Sequence, residues 1–129
     1  MAKTGTGPVR SPSLWLLFGL AGRISRAIYW LCYFLLFCLQ SAIAAQLIGG
    51  AAASFHALAV SVGPYLLLVV LYCTLAISVK RLHDVGYSGF LAVAVLIPFL
   101  NVAFAIWVGI LPGSAGPNAY GDAPDTPPA

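Results

Sequence analysis

The chain has 129 residues, of which 61% are hydrophobic and only 7% charged, and its formal net charge is +3. A soluble domain carries near a quarter charged residues, so a water-exposed surface cannot be assembled from this composition. The six basic residues flank apolar stretches, which excludes a phosphate-tracking nucleic-acid surface.

Residues 1–13 (MAKTGTGPVRSPS) are polar and rich in Gly, Pro and Ser, which predicts a flexible cytoplasmic tail. Residues 14–21 (LWLLFGLA) are apolar but too short to span a bilayer. Trp15 and Phe18 suit the headgroup level, so this piece is expected to lie in the interface. The first long apolar run starts late and is too long for a signal-peptide core.

Between Arg26 and Lys80 stand 53 consecutive residues without Lys, Arg, Asp or Glu. One span needs about 20 apolar residues, so this run holds two spans and a turn. The first helix is predicted at about residues 28–48. Its ten Leu, Ile and Phe residues favour insertion by roughly 3 to 6 kcal/mol, enough to carry Gln40, Ser41 and Gln46. Residues 49–63 make the turn. Pro64 fits a first helical turn, so the second helix is predicted at about residues 57–79. Lys80 and Arg81 close it against the negative end of its dipole. Residues 82–89 (LHDVGYSG) read as a tight polar connection, with Gly86 ending one helix and Ser88 capping the next. A third helix is predicted at about residues 89–111, kinked at Pro98. The remaining residues form turns and, over 125–129, a disordered stub. The expected fold is thus all-α: a multi-pass membrane bundle of three spans, with residues 14–124 as one domain. Three helices make a thin bundle, so a homo-oligomer or another membrane protein is an expected partner.

Lys and Arg mark the cytoplasmic side. Lys3, Arg10, Arg23 and Arg26 precede the first helix, and Lys80 and Arg81 follow the second. With three full spans the N-terminus is cytoplasmic and the C-terminal tail lies on the opposite side. If Pro98 and Asn101 break the third helix into a re-entrant hairpin, the tail returns to the cytoplasm.

Two constellations carry the chemistry. In residues 22–30 (GRISRAIYW), Arg23 and Arg26 are three apart, and Tyr29 and Trp30 follow. The plain reading is anchoring by snorkelling arginines and an aromatic belt. The sharper reading is a site for anionic lipid headgroups, because guanidinium groups hold phosphate oxygens well. In residues 80–89 (KRLHDVGYSG), Lys80, Arg81, His83, Asp84 and Ser88 gather near the inner surface. Asp84 is expected to pair with Arg81 locally, or with Arg23 or Arg26 across the bundle, since an unpaired carboxylate beside a bilayer is costly. The plain reading of this second group is an ion-pair latch. The sharper one makes His83 and Asp84 a proton-handling pair. Gln40 and Asn101 are each the thirteenth residue of their predicted helices. They are expected at one depth, bonded to each other directly, through water or across a dimer, as packing glue. No cofactor, metal or catalytic residue is expected, because ligand clusters and nucleophile motifs are missing from the sequence.

The order and spacing of GRISRAIYW, KRLHDVGYSGF, LIPFLNVAFAIWVGILPG and GPNAYGDAP resemble the YhaH-like family of small bacterial inner-membrane proteins, a domain of unknown function. The resemblance covers about residues 14–124. It implies a bacterial plasma membrane, a multi-pass helical domain and no assigned activity. The family's recurrent positions fall on Gly22, Arg23, Arg26, Tyr29, Trp30, Arg81, Leu82, His83, Asp84, Ser88, Gly89, Pro98, Gly113, Gly116, Asn118, Tyr120 and Gly121. Phe90, Ser114, Ala115 and Ala119 depart from the pattern, and the last removes a basic residue from the tail. The leading expectation is a non-enzymatic membrane module that binds lipid headgroups or a partner through the basic and His-Asp cluster. An oligomeric small transporter or channel lined by Gln40 and Asn101 is the alternative. An enzyme acting on lipid, with His83 and Asp84 as acid and base, is a third reading.

Overall fold

The computed structural model describes residues 11–49 and 53–128. Most of the expected N-terminal tail and residues 50–52, near the start of the expected turn at 49–63, lie outside these. The described residues form α1 (Pro12–Phe18), α2 (Arg26–Gly49), α3 (Ala53–Val85), a 3-10 helix (Gly89–Leu96) and α4 (Leu100–Ile110). The all-α membrane bundle agrees with the sequence, and α2 and α3 are long and apolar enough to cross a bilayer. They pack along each other as the central pair. The crossing is close: a Cβ on Gly63 would come within 3.2 Å of the Leu47 side chain. Leu31, Phe34 and Leu35 are each about two-thirds exposed on α2. Such a face is stable only where lipid, not water, is the solvent.

Helix α3 is longer at both ends than its sequence suggests. It starts at Ala53, so Pro64 sits inside it rather than in its first turn. It also runs six residues past Val79, so Lys80, Arg81, His83 and Asp84 are helical rather than on a loop. Its 33 residues extend about 50 Å, against a hydrocarbon core of about 30 Å. The charged residues therefore ride on a rigid extension of the span. Gly86, with φ +92°, stops the helix as expected: the Tyr87 N–H donates to the Leu82 carbonyl and the Gly86 N–H to that of His83. This is the paired closure that a left-handed residue after the last turn makes possible.

The third apolar segment is broken rather than kinked. Ser88 caps the 3-10 helix, accepting a hydrogen bond from the Phe90 N–H. The chain then turns at residues 97–99. Phe99 has φ 66° and ψ −44°, and the Leu100 N–H donates to the Pro98 carbonyl at 2.8 Å. Such a three-residue turn is rare and strained. It brings the segment back on itself. Gly89 starts against Val79 and His83, and α4 ends with the Val108 and Leu111 carbonyls against Arg81. Both ends of the segment thus meet the same end of α3. An 11-residue helix rises only about 16 Å, half of what a span needs. The tail that follows therefore lies at the Arg23 end of the bundle, not at the opposite end.

The core forms two clusters. One joins Trp15, Ile24, Tyr29, Leu36, Val70, Cys73 and Ile77; the other joins Leu82, Ala92, Val95, Phe104 and Val108. Trp15 is 5% exposed, so its ring packs against protein rather than facing outward. Its indole N–H donates to the Ala21 carbonyl, which folds the chain after α1 back over the ring. Trp30 joins α2 to α4 by donating to the Gly109 carbonyl at 3.2 Å, and a Cβ on Gly109 would collide with the same indole. Gly109→Ala is expected to lower stability by about 1 to 3 kcal/mol through this overpacking, read as a lower unfolding midpoint of the purified protein in mild detergent.

Candidate functional site

The charged end of the bundle is built on Asp84. One carboxylate oxygen accepts from the Arg23 Nε and Nη2 at 3.0 and 2.9 Å. The other pairs with the Arg81 Nη1. All three side chains are buried. Of the partners expected for Asp84, the structure brings in both Arg81 and Arg23 and leaves Arg26 out. Arg23 precedes α2 and so does not share a helical face with Arg26.

Arg23 has five N–H donors, and each has an acceptor. Beyond Asp84, Nη2 donates to the Ser114 carbonyl at 2.9 Å, and Nη1 donates to those of Gly116 and Gly121 at 2.8 and 3.1 Å. Arg81 donates in addition to the Ile24, Val108 and Leu111 carbonyls. No donor remains on Arg23 for a lipid phosphate, which removes it from the lipid-binding pair the sequence suggests. Lys80 is also fully covered. Its ammonium donates to the Trp15 and Gly19 carbonyls and lies 5.4 Å over the Trp15 ring. It caps the end of α1 instead of facing lipid.

Sequence reasoning missed the tail as part of the site. Residues 112–125 fold as a strap across Arg23 and Asp84. The Ser114 N–H donates to the Asp84 carbonyl at 2.7 Å. A Cβ on Gly113 would overlap the Asp84 carboxylate, so only glycine lets the strap pass. Asn118 turns the strap, pairing with Gly121, and its side-chain amide donates to the His83 carbonyl at 2.8 Å. Asp125, expected within the terminal stub, accepts from the Ser25 N–H at 2.8 Å. The signal was present in the sequence: too many arginine donors for one carboxylate, and a Gly- and Pro-rich tail with carbonyls left over.

His83 and Asp84 do not form a pair. Asp84 faces the arginines. The His83 Nδ1 lies 3.2 Å from the Gly22 carbonyl, and its ring stacks on Tyr120 at 4.0 Å and 3°. Tyr29 is wholly buried and packs against Tyr33 and Trp30, so it belongs to the core and not to an aromatic belt. Gln40 and Asn101 line one void of about 10 Å³ together with Tyr33 and Thr74. They do not bond directly. The Tyr33 hydroxyl donates to the Asn101 side-chain oxygen at 2.6 Å instead. The two amides thus border one void although the third segment is not one continuous helix but a 3-10 helix followed by a turn and α4.

Arg26 is left over. It is exposed, and among the described residues it makes no ion pair. Trp30, Phe34 and Phe37 follow it at helical spacing on α2. They form one wall of a groove of about 210 Å³, closed by Val102, Ala105 and Ile106 of α4. A guanidinium, an indole and an apolar channel thus succeed one another from the helix end inward.

A family model described as a protein of unknown function (DUF805) matches residues 17–122. Inner membrane protein YhaI of Escherichia coli strain K12 is 30% identical over 113 residues, spanning 82% of this chain and 86% of that protein. The protein of the same name from E. coli O157:H7 matches to the same extent. No solved structure matches.

Removing the carboxylate leaves two guanidinium groups buried without a counter-ion. Asp84→Asn is expected to cost about 3 to 5 kcal/mol, whereas Arg26→Ala stays within about 0.5 kcal/mol. Thermal unfolding of both variants in one detergent checks the contrast.

Proposed function

The chain belongs to the DUF805 family, and from that premise we propose that it is an inner-membrane module that holds an anionic lipid at its cytoplasmic end through Arg26. The carrying observation is the division among the cations. Among the described residues, Arg23, Lys80 and Arg81 are wholly covered by protein, while Arg26 is exposed one turn before the apolar groove. A lipid phosphate on Arg26 would leave an acyl chain to follow Trp30, Phe34 and Phe37. The hydrogen bond from Trp30 to Gly109 holds the indole at the mouth of that groove.

The same reading sets the topology. α2 and α3 are the two spans, and the excess of Lys and Arg before α2 and at the end of α3 marks that end as cytoplasmic. The contact of the tail with Arg23 supports a cytoplasmic C-terminal end, which replaces the opposite-side tail of a three-span arrangement. The broken third segment then enters and leaves the bilayer from the cytoplasm. Non-helical backbone at that depth is tolerated because it is packed against protein.

A basic residue at an anionic surface contributes about 1 kcal/mol, or roughly a fivefold preference. Arg26→Ala is therefore expected to lower the selectivity for phosphatidylglycerol over phosphatidylethanolamine by about that factor, and Arg26→Glu to abolish it, as read by native mass spectrometry of the purified protein. Unchanged selectivity in Arg26→Glu would overturn the reading. For the topology, a fluorescent protein fused at the C-terminus is expected to fold and fluoresce and a fused alkaline phosphatase to stay inactive; the reverse pattern would put the tail outside.

A further inference from the structure

A second groove, of about 380 Å³, lies between the last turns of α3 and the 3-10 helix. It stands at the lower end of the range for ligand cavities, roughly 300 to 1,000 Å³. Its wall changes character along its length. Leu75, Val79 and His83 follow one another at four-residue spacing on α3, covering about 12 Å. Ala92 and Val93 face the apolar part, and Tyr120 closes the end at His83.

The imidazole is oriented with care. Its Nδ1 lies 3.2 Å from the Gly22 carbonyl. A carbonyl only accepts, so Nδ1 carries the proton and Nε2 of the neutral ring is an acceptor. The stack on Tyr120 fixes the ring plane. Nε2 is on the Gly89 side, 3.1 Å from where a Cβ on that residue would sit. Among the described residues Nε2 has no hydrogen-bond partner. An acceptor with a fixed direction thus sits at the polar end of an apolar groove.

The surrounding charges narrow what fits. Arg23, Lys80 and Arg81 outnumber Asp84 three to one, which opposes an ammonium head. All five donors of Arg23 are taken, and Lys80 and Arg81 are wholly covered by protein, so a phosphate or carboxylate head would reach none of them. A hydroxyl suits both conditions. We infer that this groove binds an uncharged, single-chain amphiphile whose terminal hydroxyl donates to the His83 Nε2, with its chain along Val79 and Leu75. The volume of about 380 Å³ suits one chain. The site shares the membrane placement argued above but does not depend on Arg26.

The test is nitrogen NMR of the full chain with labelled histidine in mild detergent at pH 8, above the ordinary range of imidazole titration. Oleyl alcohol, its methyl ether and oleate are added in turn. The two histidines report separately, and His56, beside the Gln46 carbonyl, serves as the internal reference. Oleyl alcohol is expected to shift the unprotonated Nε2 of His83, with the ether and oleate at least tenfold weaker and His56 unmoved. Val93→Trp changes a half-exposed groove residue that does not hold His83, and it is expected to remove the response while keeping the resting His83 signals. An equal response to the ether, a proton resting on Nε2, or a full response in Val93→Trp would each overturn the inference.

Discussion

Two guanidinium groups share one carboxylate at the end of this bundle, and the rest of the structure is arranged around that shortage. Arg23 and Arg81 bring ten N–H donors to a site with one acid, Asp84. Buried donors without acceptors are costly, so the surplus must be met by backbone carbonyls. The end of α4 supplies those of Val108 and Leu111, and the strap supplies those of Ser114, Gly116 and Gly121. One charge centre thereby ties together the approach to α2, the end of α3, the returning hairpin and the tail. A buried ion pair is weak evidence of net stability. What this one fixes is register, since its backbone acceptors come from the approach to α2, the end of α4 and the strap.

The bilayer accounts for the remainder. Most large apolar side chains of α2, α3 and α4 face outward, and they need no protein partner in hydrocarbon. Protein-protein burial is therefore concentrated at the charged end, where water and headgroups would compete for the same donors. Burial there separates the cations of the described residues into two kinds. Arg23, Lys80 and Arg81 serve the fold, while Arg26 remains open. The two grooves inherit this division, one beneath a free guanidinium and the other ending at a neutral imidazole.

Much of this was legible in the residues. The uncharged run after Arg26 announced α2 and α3, and Gly86 and Ser88 announced the end of α3 and the start of the next element. The need of Asp84 for an arginine partner was also readable, because a lone carboxylate at a membrane boundary has few alternatives. Less was legible where a residue type serves two environments equally well. Tyr29 and Trp15 suit a headgroup belt or a core, and only packing shows that both went inward. Pro64 suits the start of a helix or its interior, and here the helix runs through it.

Composition and charge spacing by themselves determined that the chain is a membrane bundle, which segments are apolar enough to cross, and that Asp84 needs a partner among Arg81, Arg23 and Arg26. These follow from local quantities: hydrophobic length, charge sign and residue conformational preference. The tertiary structure alone decided that the third segment turns back at Phe99, that the tail crosses Arg23, and that Arg26 rather than Arg23 is left free. Each of these depends on which backbone carbonyls reach a buried guanidinium, and a carbonyl is present at every residue. Sequence cannot distinguish among acceptors that all residues carry; only the path of the folded chain selects them.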